Sequence, residues 1–366
     1  MSDFHSAVQA IITGDESRLR ELPKIELHLH LDCSLSYDVA HRLDPALIPE
    51  EYRRKFIAPP KCRTLAEFLE TAPSGFLLMQ SEHALRAVVR DLFAQLAADG
   101  VIYAEIRFAP HLHLERGMRV DDVVEVVDDE VARESERTGI AAGVILCTLR
   151  HFDREQSLET ARLVERFRGR KVVALDIAGD EAGFPIDAHI DAFRHAIDRG
   201  LHRTAHAGEA AGATSVWETL AHFRPSRIGH GVRSIEDPQL IDHLAAKRIH
   251  LEVCPSSNVQ TNAVTTYDAH PIARFAAAGV STGINTDART NTNITLTEEY
   301  ERLAATFGWT ARDFLARNLD MVEAAFTDEA TRERLREQLT RGWGMARRCP
   351  PGRRTPASRG GRCTFD

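Results

Sequence analysis

Eight short apolar runs alternate with amphipathic helical patterns along this chain, and that alternation limits its possible folds more than any other feature. The runs lie at 24–31, 101–108, 143–148, 172–177, 203–206, 227–230, 249–254 and 280–286. Between them, segment 120–139 has valines three and four residues apart and ends in glycine, which is typical of an amphipathic helix. The alternation predicts an α/β fold, a single (β/α)₈ TIM barrel.

Two parts of the chain extend beyond the repeating pattern. Residues 36–99, between the first two runs, contain additional helical patterns, so we expect a helical insertion that roofs the barrel mouth. Residues 296–344 predict C-terminal helices. The chain is therefore expected to form one domain over 1–345, followed by a disordered tail rich in Arg, Pro and Gly over 346–366.

Composition excludes several classes of partner. The net charge is −8 and no basic stripe is present, which argues against nucleic-acid binding. There is neither a signal-peptide pattern nor a run of 18 apolar residues, so we expect a cytoplasmic protein without a membrane span. The six cysteines have no short paired spacing, which favours buried thiols over disulfides. The oligomeric state is not predicted.

Polar side chains end four of the predicted strands. They are His28, His30 and Asp32 after the first strand, His206 and Glu209 after the fifth, His230 after the sixth and Asp287 after the eighth. The three in the first strand share one face, because alternate residues of a strand do so. A half-exposed strand would explain that first cluster alone. Because TIM-barrel enzymes place their chemistry at the carboxyl ends of strands, all seven residues are expected on one rim.

These residue types suit a divalent metal. The predicted ligands are His28, His30, His206 and Asp287, a nitrogen and oxygen set typical of Zn²⁺. Such a metal lowers the pKa of a bound water enough to make it a nucleophile. Glu209 lies three residues beyond His206, near the metal without being a ligand, as a proton shuttle would. His230 could hold or deprotonate the attacking water. The pattern predicts metal-assisted hydrolysis.

We expect one metal ion rather than two. Binuclear barrels of this type commonly use a bridging carboxylated lysine at the end of the fourth strand. The only lysine near that strand here is Lys171, at its beginning and therefore on the opposite rim. A site with one Zn²⁺ per chain follows.

The motifs together resemble the adenosine deaminase family of the amidohydrolase superfamily. They are His28-x-His30 with Asp32, AGDE at 178–181, HAGE at 206–209, GHG at 229–231, CPSSN at 254–258 and NTD at 285–287, in the family's order. The resemblance extends from about residue 22 to about 345. It implies the same four zinc ligands, with Glu209 protonating purine N1 and His230 orienting the water. It further implies that His30 and Asp32 bind substrate, Asp32 at the sugar 5′-hydroxyl, and that the backbone of Gly179 donates to ring N3.

The implied reaction is hydrolytic deamination of a 6-aminopurine nucleoside. Adenosine or deoxyadenosine would yield inosine or deoxyinosine and ammonia in purine salvage, so the expected partner is a small purine nucleoside. Two positions depart from the family pattern: Cys33 replaces a usual Gly, and Ala288 replaces a second Asp that contacts purine N7. Adenine or an aminodeoxyfutalosine-like nucleoside is therefore an alternative substrate. A hydrolase of another amide, ester or amidine, and a non-catalytic nucleoside-binding homologue, also remain open.

Overall fold

The computed structural model describes residues 16–344, in which eight parallel strands form a barrel. The strands are β1 (Lys24–His30), β2 (Val101–Phe108), β3 (Ala141–Leu149), β4 (Val172–Ala178), β5 (His202–Ala207), β6 (Arg227–His230), β7 (His250–Val253) and β8 (Thr282–Ile284). They pair in chain order from β1 to β8. The predicted TIM barrel is confirmed. The predicted tail at 346–366 lies outside the described residues.

The barrel closes between its last and first strands. The backbone N–H of His30 donates to the carbonyl of Asp287 at 2.7 Å, and the N–H of Asp287 donates to the carbonyl of His28 at 3.1 Å. The side-chain oxygen of Asn285 also accepts from the N–H groups of Leu27 and His28, at 2.8 and 3.0 Å. This junction, which we call the seam, brings residues near 30 and 287 together.

Helices cover the outside of the barrel. They are Glu82–Ala98, Val120–Thr138, Arg154–Arg166, Ile190–Asp198, Ala213–Phe223, Pro238–Lys247 and Ile272–Ala277. The helix predicted at 120–139 buries Val123, Val127 and Val131 against the barrel. It ends where Gly139 adopts a φ of 77°, a left-handed conformation that glycine takes without strain.

The remaining helices precede β1, form the predicted insertion, follow β7 and β8, or close the chain. They are Glu16–Glu21; Tyr37–Leu43, Pro49–Phe56, Leu65–Leu69 and Ala72–Phe76 in the insertion; Pro255–Gln260 and Arg289–Thr292 after strands; and Leu296–Phe307, Ala311–Ala324 and Glu329–Gly342 at the end. In the helix Leu65–Leu69, here called the roof helix, Leu65 and Phe68 pack against Ala288 beyond β8. The insertion thus covers the barrel mouth as predicted.

The eighth strand is shorter than the sequence pattern suggested. We expected strand over 280–286, but β8 spans Thr282–Ile284. Val280 instead donates to the carbonyl of Phe275, at the end of the preceding helix. Beyond Ile284 the side chain of Asn285 bonds to β1, and Asp287 turns into the left-handed region with a φ of 67°. The residues that follow β8 therefore close the barrel against β1.

Two expectations from composition can be examined in residues 16–344. All four cysteines there, Cys33, Cys62, Cys147 and Cys254, are free thiols. No helix in that range has the length and apolar character needed to cross a membrane.

Candidate active site

The four predicted metal ligands converge at the carboxyl end of the barrel. Ligand atoms of His28, His30, His206 and Asp287 all lie within 4.8 Å of one another. The Nε2 atoms of His30 and His206 are 3.3 Å apart, and Asp287 Oδ1 lies 3.3 Å from His28 Nε2. Residues from β1, from the end of β5 and from the seam thus surround one point.

The donor set fits a single zinc-sized cation. For metal–nitrogen bonds of about 2.0–2.1 Å, neighbouring ligands of a tetrahedral site lie about 3.3 Å apart, close to the separations observed here. Moreover, the buried Nε2 of His28 has Asp287 Oδ1 at 3.3 Å but makes no hydrogen bond of acceptable geometry to the described residues. A bound cation would satisfy this nitrogen, which would otherwise be a buried polar atom without a hydrogen bond.

Two buried carboxylates orient the ligand histidines. Glu252 Oε2 lies 2.8 Å from Nδ1 of His28, and Asp176 Oδ2 lies 3.1 Å from Nδ1 of His206. When each Nδ1–H donates to its carboxylate, Nε2 is left with a lone pair directed at the centre. The sequence analysis did not identify these acids. Their signal was a single acidic residue within each of two apolar strands, VVALDIA and HLEV.

One arginine joins these two carboxylates. Arg107, on β2, donates from Nη1 to Asp176 and from Nη2 to Glu252, both at 2.7 Å, and all three side chains are completely buried. Burial disfavours the ionised form of Asp176, but His206 and Arg107 still hold the pKa of this carboxyl well below its usual value. The ligand histidines therefore rest on an ionic network inside the barrel.

Glu209 lies beside this centre, almost completely buried at 5% exposure. Its Oε1 accepts a hydrogen bond from the Thr261 hydroxyl at 3.0 Å, and its Oε2 lies 3.5 Å from Nε2 of His230. Burial and the nearby charges of Asp287 and Glu181 raise the pKa of Glu209 well above its usual value. Glu209 is consequently suited to hold a proton at neutral pH, as a general acid must.

His230 is held in place by Asn258. The amide nitrogen of Asn258 lies 3.0 Å from His230 Nδ1, and its oxygen lies 3.3 Å from Nε2 of His270. Burial lowers the pKa of His230 well below its usual value, so the ring is neutral. With Nδ1 accepting from Asn258, Nε2 carries the proton and faces Glu209. His230 has a φ of 60°, a strained conformation for a residue other than glycine and one that often marks functional sites.

A small inner cavity of about 60 Å³ adjoins these groups. Its lining comprises His30, Cys33, Leu65, Phe68, Leu69, Ala178, Gly179, His206, Glu209, His230, Asp287 and Ala288. The polar lining includes three of the four proposed ligands, and the apolar lining includes side chains of the roof helix. Leu65 and Glu209 also line an outer cleft of about 640 Å³. Small-molecule pockets usually measure about 300–1,000 Å³, so a nucleoside would require the outer cleft as well.

Two of the three predicted substrate-binding residues line the inner cavity, and the third does not. His30 and Gly179 line the inner cavity, where Gly179 has a φ of 101°. Asp32 is not among the lining residues, although its Oδ1 lies 3.9 Å from Nδ1 of His30. Burial raises the pKa of Asp32 to about 6, despite a long hydrogen bond from the N–H of Ala109.

Two further histidines and Lys171 do not line the inner cavity. His111 contacts Glu159 and His113 contacts the carbonyl of Met79, in the loop after β2, and neither lines the inner cavity. Lys171 directly precedes β4, at the end opposite the proposed metal ligands. Among residues 16–344, no lysine therefore lies in position to bridge two metals at the end of this strand.

Together, the barrel and a histidine- and aspartate-rich centre at its carboxyl rim define the class of metal-dependent amidohydrolases. The family model for adenosine deaminase matches residues 23–341. The chain is 37% identical over 339 residues to adenosine deaminase 1 of Streptomyces coelicolor, covering 86% of this chain and 85% of the relative. It is 32% identical over 331 residues to the adenosine deaminase of Clostridium acetobutylicum, covering 88% and 99%. The chain therefore belongs to the adenosine deaminase family.

A solved structure shares the same architecture. The crystal structure of adenine deaminase from Arthrobacter aurescens matches with a TM-score of 0.82 and 26% sequence identity. The match covers 89% of this chain and 100% of that protein. The arrangement of strands, roof and closing helices is thus shared beyond the more similar relatives.

Proposed function

We propose that this protein hydrolyses adenosine or deoxyadenosine to inosine or deoxyinosine and ammonia, using one Zn²⁺ per chain. The observation that carries the proposal is the convergence of His28, His30, His206 and Asp287 beside the buried acid Glu209. Membership of the adenosine deaminase family, and relatives 32–37% identical that bear that name, support the substrate. A zinc ion held by these four residues would supply a water acidic enough to act as a nucleophile at neutral pH.

Glu209 has the central role among the chain's own residues. Its carboxyl would donate a proton to ring nitrogen N1, which makes C6 more electrophilic and allows the ring to lose aromaticity as the water oxygen bonds to C6. Of the two protons of the water, one passes to the amino group, which leaves as ammonia when the C6–N bond breaks, and the other restores the carboxyl of Glu209. General acid catalysis of this kind contributes a rate factor of about 10²–10⁴.

His230, Gly179 and the roof helix would orient the reactants. Because Nδ1 of His230 accepts from Asn258, its Nε2–H can donate to the oxygen that approaches C6, where charge develops. The backbone of Gly179 would donate to ring N3. His30 and Asp32 would contact the sugar. Leu65 and Phe68 of the roof helix would exclude bulk water, which strengthens the polar contacts inside.

The decisive experiment is a substrate panel combined with metal analysis. Purified protein should contain one zinc per chain and release one ammonia per adenosine or deoxyadenosine consumed. A chelator should abolish turnover, and added Zn²⁺ should restore it. Adenine, an aminodeoxyfutalosine-like nucleoside and simple amides and esters complete the panel. Zinc-loaded protein that released no ammonia from any aminopurine would refute the proposal.

Ala288 provides a second prediction, about specificity. This side chain is 2% exposed and lines the inner cavity, where it cannot donate a hydrogen bond to the substrate. If position 288 faces purine N7, the new carboxyl in Ala288→Asp, in its protonated form, should donate a hydrogen bond worth about 1–3 kcal/mol to N7, which is a gain of about 5- to 150-fold in kcat/KM for adenosine.

The matched control for that variant is 7-deazaadenosine, which has no N7 acceptor. Its turnover should not improve in Ala288→Asp, so the ratio of the two kcat/KM values should increase. Thermal unfolding of the variant should be followed in parallel, since the new carboxyl packs against Leu65 and Phe68. An unchanged ratio in a folded, zinc-loaded variant would show that position 288 does not face N7.

A further inference from the structure

One carboxylate accepts hydrogen bonds from all the backbone N–H groups of the loop that carries Glu209, while Arg233 donates to two of its carbonyls. Glu181 Oε1 accepts hydrogen bonds from the N–H of Gly208 at 2.7 Å and from the Ser215 hydroxyl at 2.6 Å. Its Oε2 accepts from the N–H groups of three consecutive residues, at 2.9, 2.7 and 2.9 Å. These are Glu209, Ala210 and Ala211. We call residues 208–211 the acid loop.

The arrangement is specific to an ionised carboxylate. Four successive backbone N–H groups point at Glu181, forming a concave anion-binding backbone of the kind called a nest. All five partners are donors, so the side chain must accept on both oxygens. Glu181 is only 7% exposed, and little water is available to replace these bonds.

These contacts fix the position of Glu209 at its backbone. The N–H of Glu209 is itself one of the five donors, and the N–H groups before and after it are held by the same carboxylate. At the other end of the Glu209 side chain, the Thr261 hydroxyl bonds to Oε1. Two anchors thus determine where the carboxyl lies relative to the proposed metal ligands.

Glu181 also sets the charge around the acid. Four groups from different elements surround Glu209: Glu181 after β4, His230 at the end of β6, Thr261 beyond β7 and Asp287 after β8. His230 is neutral, Thr261 is uncharged, and Asp287 is a proposed metal ligand whose charge the cation would offset, so Glu181 supplies the negative charge that acts on Glu209. Like charge nearby favours the protonated form of Glu209.

We propose that Glu181 is a positioning residue for Glu209: its carboxylate clamps the acid loop, so that the protonated side chain of Glu209 is held at the substrate ring. The proposal deepens the proposed function and rests on its assignment of Glu209 as proton donor. It assigns a catalytic purpose to the last residue of the AGDE segment. Glu181 itself does not line the inner cavity.

The principal test is Glu181→Gln. The amide has one acceptor oxygen in place of two, and its NH₂ group meets backbone donors, so several of the five bonds are lost. We expect kcat for adenosine to decrease by about 10- to 100-fold, since an error of about 1 Å in a catalytic group costs about 10². KM should change by less than about 3-fold, because Glu181 does not touch the substrate.

The pH profile separates positioning from general damage. Glu209 acts in its protonated form, so activity is lost as pH rises and this acid ionises. Removing the negative charge of Glu181 makes Glu209 easier to ionise, and the alkaline limb of kcat/KM should move to lower pH. A variant that was merely less well folded would keep the limb of the wild-type enzyme.

Glu218→Gln is the matched control. Glu218 is exposed on the helix Ala213–Phe223 that follows the acid loop, and the same chemical change there removes a charge without touching residues 208–211. We expect its kcat and pH profile to match those of the wild type. If Glu218→Gln reproduced the effects of Glu181→Gln, general electrostatics would explain both and the proposal would be overturned.

Amide hydrogen exchange provides a readout that does not depend on activity. In folded Glu181→Gln, the amides of 208–211 should exchange faster than in the wild type. If that variant does not fold, Ser215→Ala, which removes only one of the five bonds, should give faster exchange and about a 2- to 5-fold lower kcat. Unchanged exchange and unchanged kcat in the folded variant would overturn the proposal. If the wild-type protein does not deaminate adenosine but the amides of 208–211 still exchange faster in Glu181→Gln, only the proposed function is refuted.

Discussion

Glu209→Gln should keep its metal and lose a factor of about 10²–10⁴ in kcat for adenosine. The amide has the size of the carboxyl and can still meet the Thr261 hydroxyl, which bonds to Oε1 at 3.0 Å in the wild type. It cannot give up a proton to N1, however, because an amide is far too weak an acid. The measurements are kcat and KM by ultraviolet absorbance, with zinc content determined on the same sample.

Two further measurements show whether Glu209→Gln has lost only its proton donor. Zinc content should remain at the wild-type level, because Glu209 is not among the four proposed ligands. The alkaline decrease in wild-type activity should also disappear from the residual activity, since no group remains at this position to ionise. Nearly complete activity in zinc-loaded Glu209→Gln would show that another group protonates the substrate.

Arg107→Met should strongly destabilise the barrel. It leaves Asp176 and Glu252 completely buried after each has lost an ionic hydrogen bond of 2.7 Å, and of the two only Glu252 keeps an arginine partner among the described residues, Arg227 at 2.6 Å. Removing one partner from a buried ion pair costs about 3–5 kcal/mol, because the remaining charge is uncompensated. The free energy of unfolding should decrease by about this amount in urea, and chelators should extract zinc more readily because the carboxylates orient His28 and His206.

The control for Arg107→Met is Arg154→Met. Arg154 pairs with Asp191 on the surface, where an ion pair contributes about 0–1 kcal/mol. Adding Asp176→Asn to Arg107→Met should recover part of the lost stability, because it removes one of the charges left unpaired. An Arg107→Met protein as stable as the wild type would mean that the ion network does not stabilise the barrel.

The strands and the predicted metal ligands could be read from the sequence for a simple physical reason. A parallel barrel strand buried on both faces appears as an apolar run, so the histidines and acids at the ends of β1, β5, β6 and β8 stand out. Their common location then follows from barrel geometry. The glycine at 139 likewise marked the end of its helix, because its left-handed conformation is a local property of the backbone.

Other features depend on contacts between distant segments, and the local sequence does not show which residues make those contacts. Arg107, Asp176 and Glu252 look like isolated charges in three strands, and only the closed barrel shows that they form ion pairs with one another. Asn258 and Glu181 lie in recognised motifs, but their partners His230 and the acid loop lie 27 to 30 residues away. The length of β8 also depends on a distant contact, because Asn285 bonds to a strand more than 250 residues earlier.

The seam has a consequence for how the protein is made. Two of the proposed ligands, His28 and His30, emerge from the ribosome long before Asp287, which follows β8. A growing chain, or one truncated before β8, can offer a cation only part of its donors and no barrel to hold them. Metal capture is therefore tied to completion of the fold, and the bound ion would fasten the first strand to the last.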